Sequence, residues 1–600
     1  MLTRRAACGR TARTVIASDA SSIAAARAAS RAVRHWPYAL SKEAVVEDTP
    51  GGSPSGSTWR LVACSAAALA PFATRRGARG AVSRRAAAQA AQTLEKDEAE
   101  MLIAPASVSG DEAPIVGFYE PIQSQEGGPL EYELIRDLGT ESGPAMGSRV
   151  WIRARVATVR GKGKTTFAVL RQYSLYTLQA VKFKDKDDNG ARATQISKFF
   201  KGLPLESVVD VCGVLVEAKV NSCTQDNVEL QIERAYCVSR ASATLPFLLA
   251  DASRGEAEIQ ESLETDRPFV RVLQDLRLDS RWLDLRVPAN NAIMRVQAAV
   301  CRFFRDSLTQ RGFTEIHSPK LIAGESEGGA EVFRTDYFGQ PASLAQSPQL
   351  YKQMAMSADL PGVFEIGPVF RAENSNSPRH LCEFTGLDFE MPIMWHYEEV
   401  IEVVWQTLVD VCAGLEKECS AELETIRQMY PAEAPVIPAK PLVLHWEEGM
   451  ELLKKNGYAD RDPLADLSTE EERALGAAVK EVHGADLFLL DRYPSSVRPF
   501  YTMPSSSDPT YSNSYDVIFR GQEIGSGAQR CHDPAILEAR CEELGVPVAQ
   551  LGPYIESFRH GVPPHGGVGL GLERIVQLYL GLDNIRKTVM FTRDPSRLSP

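Results

Sequence analysis

FRAENSNSPRHLCEFTGLDFEM, residues 370–391, is the stretch on which the rest of the chain turns. Just upstream, EIGPVFRAE puts Glu365, Val369, Arg371 and Glu373 on one parity and Ile366, Phe370 and Ala372 on the other, as in a strand with one buried face. After the polar turn ENSNSPR, Leu387, Phe389 and Met391 alternate with Gly386, Asp388 and Glu390. Both strands have an apolar back and a charged front. Pairing them would set Arg371, Glu373, Asp388 and Glu390 on one sheet surface, with Phe384 at the head of the row. A buried structural ion pair would explain one arginine and one carboxylate, whereas four charges and a ring on one face are costly to enclose without a ligand. The stretch predicts a floor on which a charged molecule lies.

Outward from this hairpin, the chain is too long for one core: 600 residues suggest two to four globular units plus appendages. No apolar run approaches the roughly 20 residues that span a bilayer, which excludes a membrane-spanning helix. With a net charge of −12, a nucleic-acid role would need a local basic surface. The 11 cysteines are scattered without a C-x-x-C pair, so neither a zinc site nor a disulfide framework is signalled, and a reducing compartment fits.

Residues 1–42 carry Arg4, Arg5, Arg10, Arg13, Arg27, Arg31 and Arg34 in an Ala/Ser-rich background, the properties of an organelle transit peptide or of a disordered basic tail. PGGSPSGSTW at 50–59 reads as a flexible break, and AAAQAAQTLEKDEAEM, after a second arginine cluster at 75–85, as an exposed helix. Residues 1–115 are therefore expected to be a largely disordered extension outside the folded domains. Within 116–245 the runs RVWIRARVATV, TTFAVLRQ, YTLQAVKF, SVVDVCGVLVEA and NVELQIERAYCVS, with a helical TQISKFFKG after the third, have the layout of an OB-fold barrel, a common binder of single-stranded nucleic acid, or of another small barrel. Gly161, Lys162, Gly163 and Lys164 form a basic hairpin tip beside Phe167. Residues 246–285 read as a charged connector. From 286 to 600 an amphipathic helix at 290–311 leads into β-runs and helices in no βαβ order, which predicts an α+β domain on a largely antiparallel sheet. Ser468 and Glu471 predict a capping box.

Two further constellations carry chemistry. GVGLGLERIVQLYLGL, 567–582, is a glycine-rich strand running into a helix, and it matches neither G-x-G-x-x-G nor the phosphate loop. Its glycines predict close approach of a ligand to the backbone, and Arg574, placed against the helix dipole, predicts an anionic partner. NSYDVIFRGQEIGSGAQRCHD, 513–533, predicts a hairpin turning at Arg520-Gly521, with Asp516 facing Gly525 and diagonal to Glu523, about 7–8 Å away. Such a pair suits Mg²⁺ held with the help of phosphate oxygens, or is simply a solvated pair of acids. Ser526, Gln529 and Arg530 add polar groups just downstream.

Together these stretches resemble the class II aminoacyl-tRNA synthetases of subclass IIb, and within them the aspartyl-tRNA synthetase family of the eukaryotic and archaeal kind, over about 115–600. FTEIHSPKL, FRAENSNSPRHLCEFTGLDFE and GVGLGLER are similar to the three class motifs, and SEGGAEVF, LAQSPQLYKQ and GSGAQR to more specific ones. The resemblance implies an OB-fold anticodon-binding domain followed by a class II catalytic domain, an antiparallel sheet flanked by helices. It implies activation of L-aspartate by ATP and transfer to the 3′-hydroxyl of tRNA(Asp). By position, Arg371 would bridge the α-phosphate and the substrate carboxylate, and Arg574 would hold the γ-phosphate, with Gly571 beside it. Phe384 would stack on adenine, Glu373 would touch its amino group and His380 the phosphate tail. Asp516, Glu523 and Ser526 would hold Mg²⁺. Arg530 and Lys352 would clasp the aspartate side chain, while Ser326, Glu327, Gln349, Asp388 and Ser526 would position the rest of the amino acid. Phe167, Gln179 and Glu206 fall where the family reads the anticodon. The helix at 290–311 and Pro319 correspond to a homodimer interface.

The rivals are an asparaginyl-tRNA synthetase, a non-discriminating aspartyl enzyme and a catalytically inactive RNA-binding paralogue. Lys352 with Arg530 argues against the first, because a neutral amide would leave two cations under-neutralised. Arg371, Arg574, Asp516 and Glu523 argue against the last. Nothing in the sequence specifies a multi-synthetase complex or a membrane partner. The family type implies the cytoplasm, and residues 1–42 would permit mitochondrial or plastid import.

Overall fold

The computed structural model describes residues 114–119, 130–162, 165–184, 190–323 and 332–600. The arginine-rich extension and its expected helix lie outside the described residues, as do Gly163 and Lys164 and the segment 324–331 that carries Ser326 and Glu327.

A short strand, β1 (Val116–Phe118), precedes five longer ones: β2 (Arg149–Lys162), β3 (Thr165–Gln172), β4 (Tyr176–Lys182), β5 (Val208–Glu217) and β6 (Val228–Ser239). They are ordered β1-β6-β4-β3-β2-β5, and β5 also pairs with β6, which closes a barrel. Alternation explains the closure. Val150, Ile152, Ala154 and Val156 of β2, Ala168 and Leu170 of β3, and Leu178 and Ala180 of β4 all point inward and are buried. The helix Ala191–Gly202, which follows the third barrel strand, plugs the barrel with Ile196, Phe199 and Phe200.

The connector is held more firmly than its charge suggests. Arg281, 3% exposed, donates to the carbonyls of Lys587, Val589 and Met590, and Asp284 pairs with Arg277 at 2.8 Å. A charged guanidinium spread over three carbonyls ties this segment to the C-terminal end of the chain.

The helix Pro288–Gln310 then leads into β7 (Thr314–Glu315), the small sheet of β8 (Leu321–Ile322), β9 (Arg334–Tyr337) and β10 (Gln340–Leu344), and the strands β11 (Val363–Phe370) and β12 (Glu383–Pro392). After a helical stretch come β13 (Val443–His445), β14 (Leu487–Asp491), β15 (Ser514–Phe519), β16 (Gln522–Gln529) and β17 (His565–Gly571). The large sheet runs β13-β14-β15-β16-β17-β12-β11-β7. Its neighbours pair antiparallel except at the two edges, where β13 joins β14 and β7 joins β11 in parallel. Phe364, Leu387, Phe389, Val517, Val568 and Leu570 form its apolar back. Against that back pack Ile293, Val296, Val300, Phe304 and Leu308 of the Pro288–Gln310 helix. Each such side chain contributes roughly 1.5–3 kcal/mol on full burial. The apolar stripe of this helix is thus spent inside the chain. The expected capping box is present: Ser468 N–H donates to Glu471 at 2.8 Å, Glu471 N–H donates to Ser468 at 3.3 Å, and Gly484 ends the helix at φ +68°.

Candidate active site

The hairpin of the opening stretch forms, with Glu365 opposite Asp388, Val369 opposite Phe384 and Val363 opposite Glu390. Continuing across the sheet, Asp388 faces Gly569, Gly569 faces Ser526 and Ser526 faces Asp516. One row of five strands therefore carries Glu365, Asp388, Gly569, Ser526 and Asp516. Arg371 and Glu373 do not belong to it, because β11 ends at Phe370 and both lie in the loop beyond. Arg371 instead swings over the Phe384 ring, 5.5 Å from its centroid.

The charged front is also more buried than an open floor. Glu390 is 0% and Asp388 4% exposed, and their counter-charges come from other elements. Arg530, at the end of β16, donates through Nε and Nη2 to Glu390 at 3.0 and 3.3 Å. Lys352, on the helix Gln349–Ala355, reaches Asp388 Oδ1 and the Val568 carbonyl, both at 2.9 Å, with Glu390 at 3.6 Å. This bears on two expectations. Lys352 is buried on the charged front, engaged with Asp388 and Glu390. The argument from charge against an amide substrate also fails, since Asp388 and Glu390 already balance both cations.

Gly567 and Gly569 leave room for these acids. A Cβ on Gly567 would sit 2.3 Å from Glu390 Oε2, and one on Gly569 3.0 Å from Asp388 Oδ1. Gly569 and Gly571 both line the cleft, and at Gly571 nothing comes closer than 3.8 Å to an added Cβ.

That cleft is bordered by Gln349, Arg371, Glu373, His380, Phe384, Asp388, Glu523, Ser526, Arg530, Gly571 and Arg574, which the sequence scattered over more than two hundred positions. His380 Nδ1 lies 2.6 Å from Ser377 Oγ, and burial holds its pKa below the ordinary histidine value. Arg574 meets the expected anionic partner, donating to the Glu523 carbonyl at 3.0 Å with the Glu523 carboxylate at 3.7 Å.

The β15–β16 hairpin turns at Arg520-Gly521 as expected, both at positive φ (47° and 69°). A bulge then shifts the register between Val517 and Ile518, so that Asp516 faces Ser526 and not Gly525. Burial pushes the Asp516 pKa up, to about 7, against the pull of Arg498 at 2.8 Å and with the added repulsion of Glu523. Its Oδ1 is buried without a hydrogen-bond partner. An unsatisfied carboxylate oxygen near a second acid and a hydroxyl fits a hard cation that shares phosphate oxygens. No cluster of three or more His, Cys, Asp or Glu exists among the described residues, so a site made of protein acids alone is not present there.

Two contributors escaped sequence reading. Glu573, buried in the third motif, accepts the Thr385 N–H at 3.0 Å, and burial raises its pKa to about 7. Arg498 lies in SSVRPFYTMP, which has no periodicity to mark it.

In the barrel, Phe167 and Gln179 lie on the outer face, Phe167 edge-on to the exposed Phe183 at 6.2 Å and Gln179 donating to Glu229 at 3.0 Å. Glu206 departs from expectation. It is 3% exposed, at φ +73°, and held by Arg171 at 2.6 Å and Arg286 at 3.2 Å. In this arrangement the carboxylate is engaged by two guanidiniums and ties the barrel to Arg286, just before the Pro288–Gln310 helix. Pro319 is exposed. Among the described residues no helix is long and apolar enough to cross a membrane.

Comparison with known proteins agrees with this architecture. The family model of class II tRNA synthetases (D, K and N) matches 273–595, and that of the OB-fold nucleic acid binding domain matches 150–238. The chain is 49% identical to the cytoplasmic aspartate–tRNA ligase 1 of Arabidopsis thaliana, over 76% of this chain and 84% of the relative. It is 46% identical to the cytoplasmic human aspartate–tRNA ligase, over 81% and 94%. The solved aspartyl-tRNA synthetase of Entamoeba histolytica superposes with a TM-score of 0.74 at 42% identity, covering 83% of this chain and 98% of that one. An asparaginyl-tRNA synthetase of Pyrococcus horikoshii stands further away, at 0.65 and 29%, covering 76% and 97%. A closed barrel, an antiparallel catalytic sheet with the second and third motifs around one cleft, and these likenesses together establish that the chain belongs to the class II tRNA synthetases, in the aspartate–tRNA ligase family.

Proposed function

We propose that the chain activates L-aspartate with ATP, giving aspartyl-adenylate and pyrophosphate, and then transfers aspartate to the 3′-hydroxyl of the terminal adenosine of tRNA(Asp). One observation carries this reading: a single cleft is lined by three arginines, the buried Arg530 with Arg371 and Arg574. Two anions, a dicarboxylic amino acid and a triphosphate, match such a lining. An oxygen of the aspartate α-carboxylate attacks the α-phosphorus, and the bond to the pyrophosphate oxygen breaks. Arg371 neutralises the charge shared by the two reactants, Arg574 draws the phosphate tail, Phe384 stacks on adenine with Glu373 on its amino group, and His380 meets the tail. Catalysis is by positioning and electrostatics, with no covalent enzyme intermediate.

Asp516, Glu523 and Ser526 would hold Mg²⁺, which supplies charge neutralisation on the phosphates when bound. The unsatisfied Asp516 Oδ1 supports this assignment. Selection of aspartate would rest on the arginine donors of Arg530 not spent on Glu390, with Gln349 and Asp388 toward the amino end and Lys352 holding Asp388 in place. On the barrel, Phe167 would stack on an anticodon base, with Gln179 beside it. We further infer a homodimer that includes Pro319, and cytoplasmic action.

The test is aminoacylation by the purified full chain, with aspartate or asparagine offered to tRNA(Asp) and tRNA(Asn) separately. Aspartate on tRNA(Asp) alone is expected. Aspartate on both would make the enzyme non-discriminating, asparagine on tRNA(Asn) would make it the amide enzyme, and no charging would overturn the proposal. A monomer by light scattering at micromolar concentration would overturn the dimer.

A further inference from the structure

Each of the two acids assigned to the cation has its own arginine on the cleft wall. Glu523 is met by Arg574, and Asp516 by Arg498. The second pair has no place in the roles described so far. Arg498 stacks on Tyr493, 3.7 Å from the ring centroid, and Tyr493 is itself 1% exposed and packed on Trp446 at 4.6 Å. The guanidinium is therefore held by its face, which leaves its edge to find partners.

That edge is poorly satisfied. Nη2 lies 2.8 Å from Asp516 Oδ2 but is poorly aligned on it, and Nε, also shielded from solvent, has no partner. The contrast with Arg530 is direct, since that fork is bidentate on Glu390 through the same two kinds of nitrogen. A guanidinium on a cleft wall whose fork is not bidentate on its acid has donors to give to an anion if it turns toward the cleft. A divalent cation on Asp516 would also repel Arg498 from that acid, as it would repel Arg574 from Glu523. Both arginines would then need new anions. A triphosphate provides more than one.

We propose that Arg498 is a further phosphate-binding residue, paired with Asp516 in the arrangement seen here and turned to the ATP phosphates once Asp516 is taken by the divalent ion. This rests on the adenylate-forming reading of the cleft, which aspartate-dependent pyrophosphate exchange by the wild-type chain tests separately.

The experiment is calorimetric binding of ATP and of adenosine, without aspartate, over a series of Mg²⁺ concentrations, for the wild type, Arg498→Met and Arg498→Lys. The expected result is at least a tenfold loss of ATP affinity in Arg498→Met that persists at saturating Mg²⁺, with adenosine affinity within twofold of wild type. Arg498→Lys, which keeps the charge but not the fork, loses affinity in the same direction by less. If Arg498→Met does not fold, the lysine variant alone carries the test. A loss that disappears at saturating Mg²⁺ would overturn the proposal and reduce Arg498 to a support for Asp516. So would an equal loss of adenosine binding, or unchanged ATP affinity in the variants that fold.

Discussion

The catalytic sheet and the barrel use charge in opposite ways. In the sheet, Lys352, Asp388, Glu390 and Arg530 are buried together and matched one against another. On the outer face of the barrel an aromatic pair reaches the surface, half-buried Phe167 against exposed Phe183. In the first region charge is fixed and desolvated, so on the function proposed above its residues would carry stability and recognition at once. In the second, recognition as proposed would fall to a half-buried ring outside the barrel core, which could be removed with less cost to the fold. Glu206 is the exception that marks the boundary: a barrel residue buried between Arg171 and Arg286, it behaves like a member of the sheet cluster.

The largest effect should come from breaking the buried cluster. Arg530→Leu leaves buried Glu390 with only Lys352, at 3.6 Å, as a counter-charge, and it should cost about 3–5 kcal/mol of unfolding free energy as well as aspartate-dependent exchange. Denaturant melts with and without ATP would check this; a stable variant that still exchanges would sink the contrast. Arg574→Leu sharpens it from the other side. Its pair with Glu523 is long and partly exposed, so stability should change by less than about 1 kcal/mol, while exchange falls roughly 10²–10³-fold.

Glu573 offers a pH test of desolvated charge. Its native pKa of about 7 lies above that of the unfolded chain, so the protonated form favours folding. That contribution is complete below about pH 4.3, the unfolded value, and is lost as pH rises through about 7. Glu573→Gln should abolish the decline, gaining on the order of 3 kcal/mol relative to wild type between pH 4 and pH 8. Parallel pH–stability curves for the two proteins would show the carboxylate to be better solvated than its position implies. The smallest effect belongs to the barrel: Phe167→Ala should weaken tRNA binding by roughly 1–3 kcal/mol and leave exchange without tRNA unchanged. A fall in that exchange would make Phe167 a folding residue and erase the difference between the regions.

Much of this was readable along the chain. Parity in EIGPVFRAE and FTGLDFEM predicted the hairpin because alternation is a local property of strands. The barrel order followed from five β-runs and one helix, and Ser468 with Glu471 announced a helix start through bonds that span three residues. Arg574 against its helix dipole foretold an acid, and Glu523 supplies it.

The remainder depended on how distant elements meet. A single bulge moved Asp516 from Gly525 to Ser526, and residue counting has no means to see an extra residue in a ladder. Which glycines lie against a carboxylate was decided by β12 lying beside β17, where Glu390 and Asp388 fill the space at Gly567 and Gly569. Lys352 and Glu206 had the residue types of ligand contacts, yet each is consumed by partners far away in sequence. Local pattern thus determined the elements and the chemistry they carry, because period, capping and turn preference act over a few residues. Partnership and exposure of each charge were decided by packing, because Coulomb pairing and desolvation depend on neighbours in space, whatever their separation along the chain.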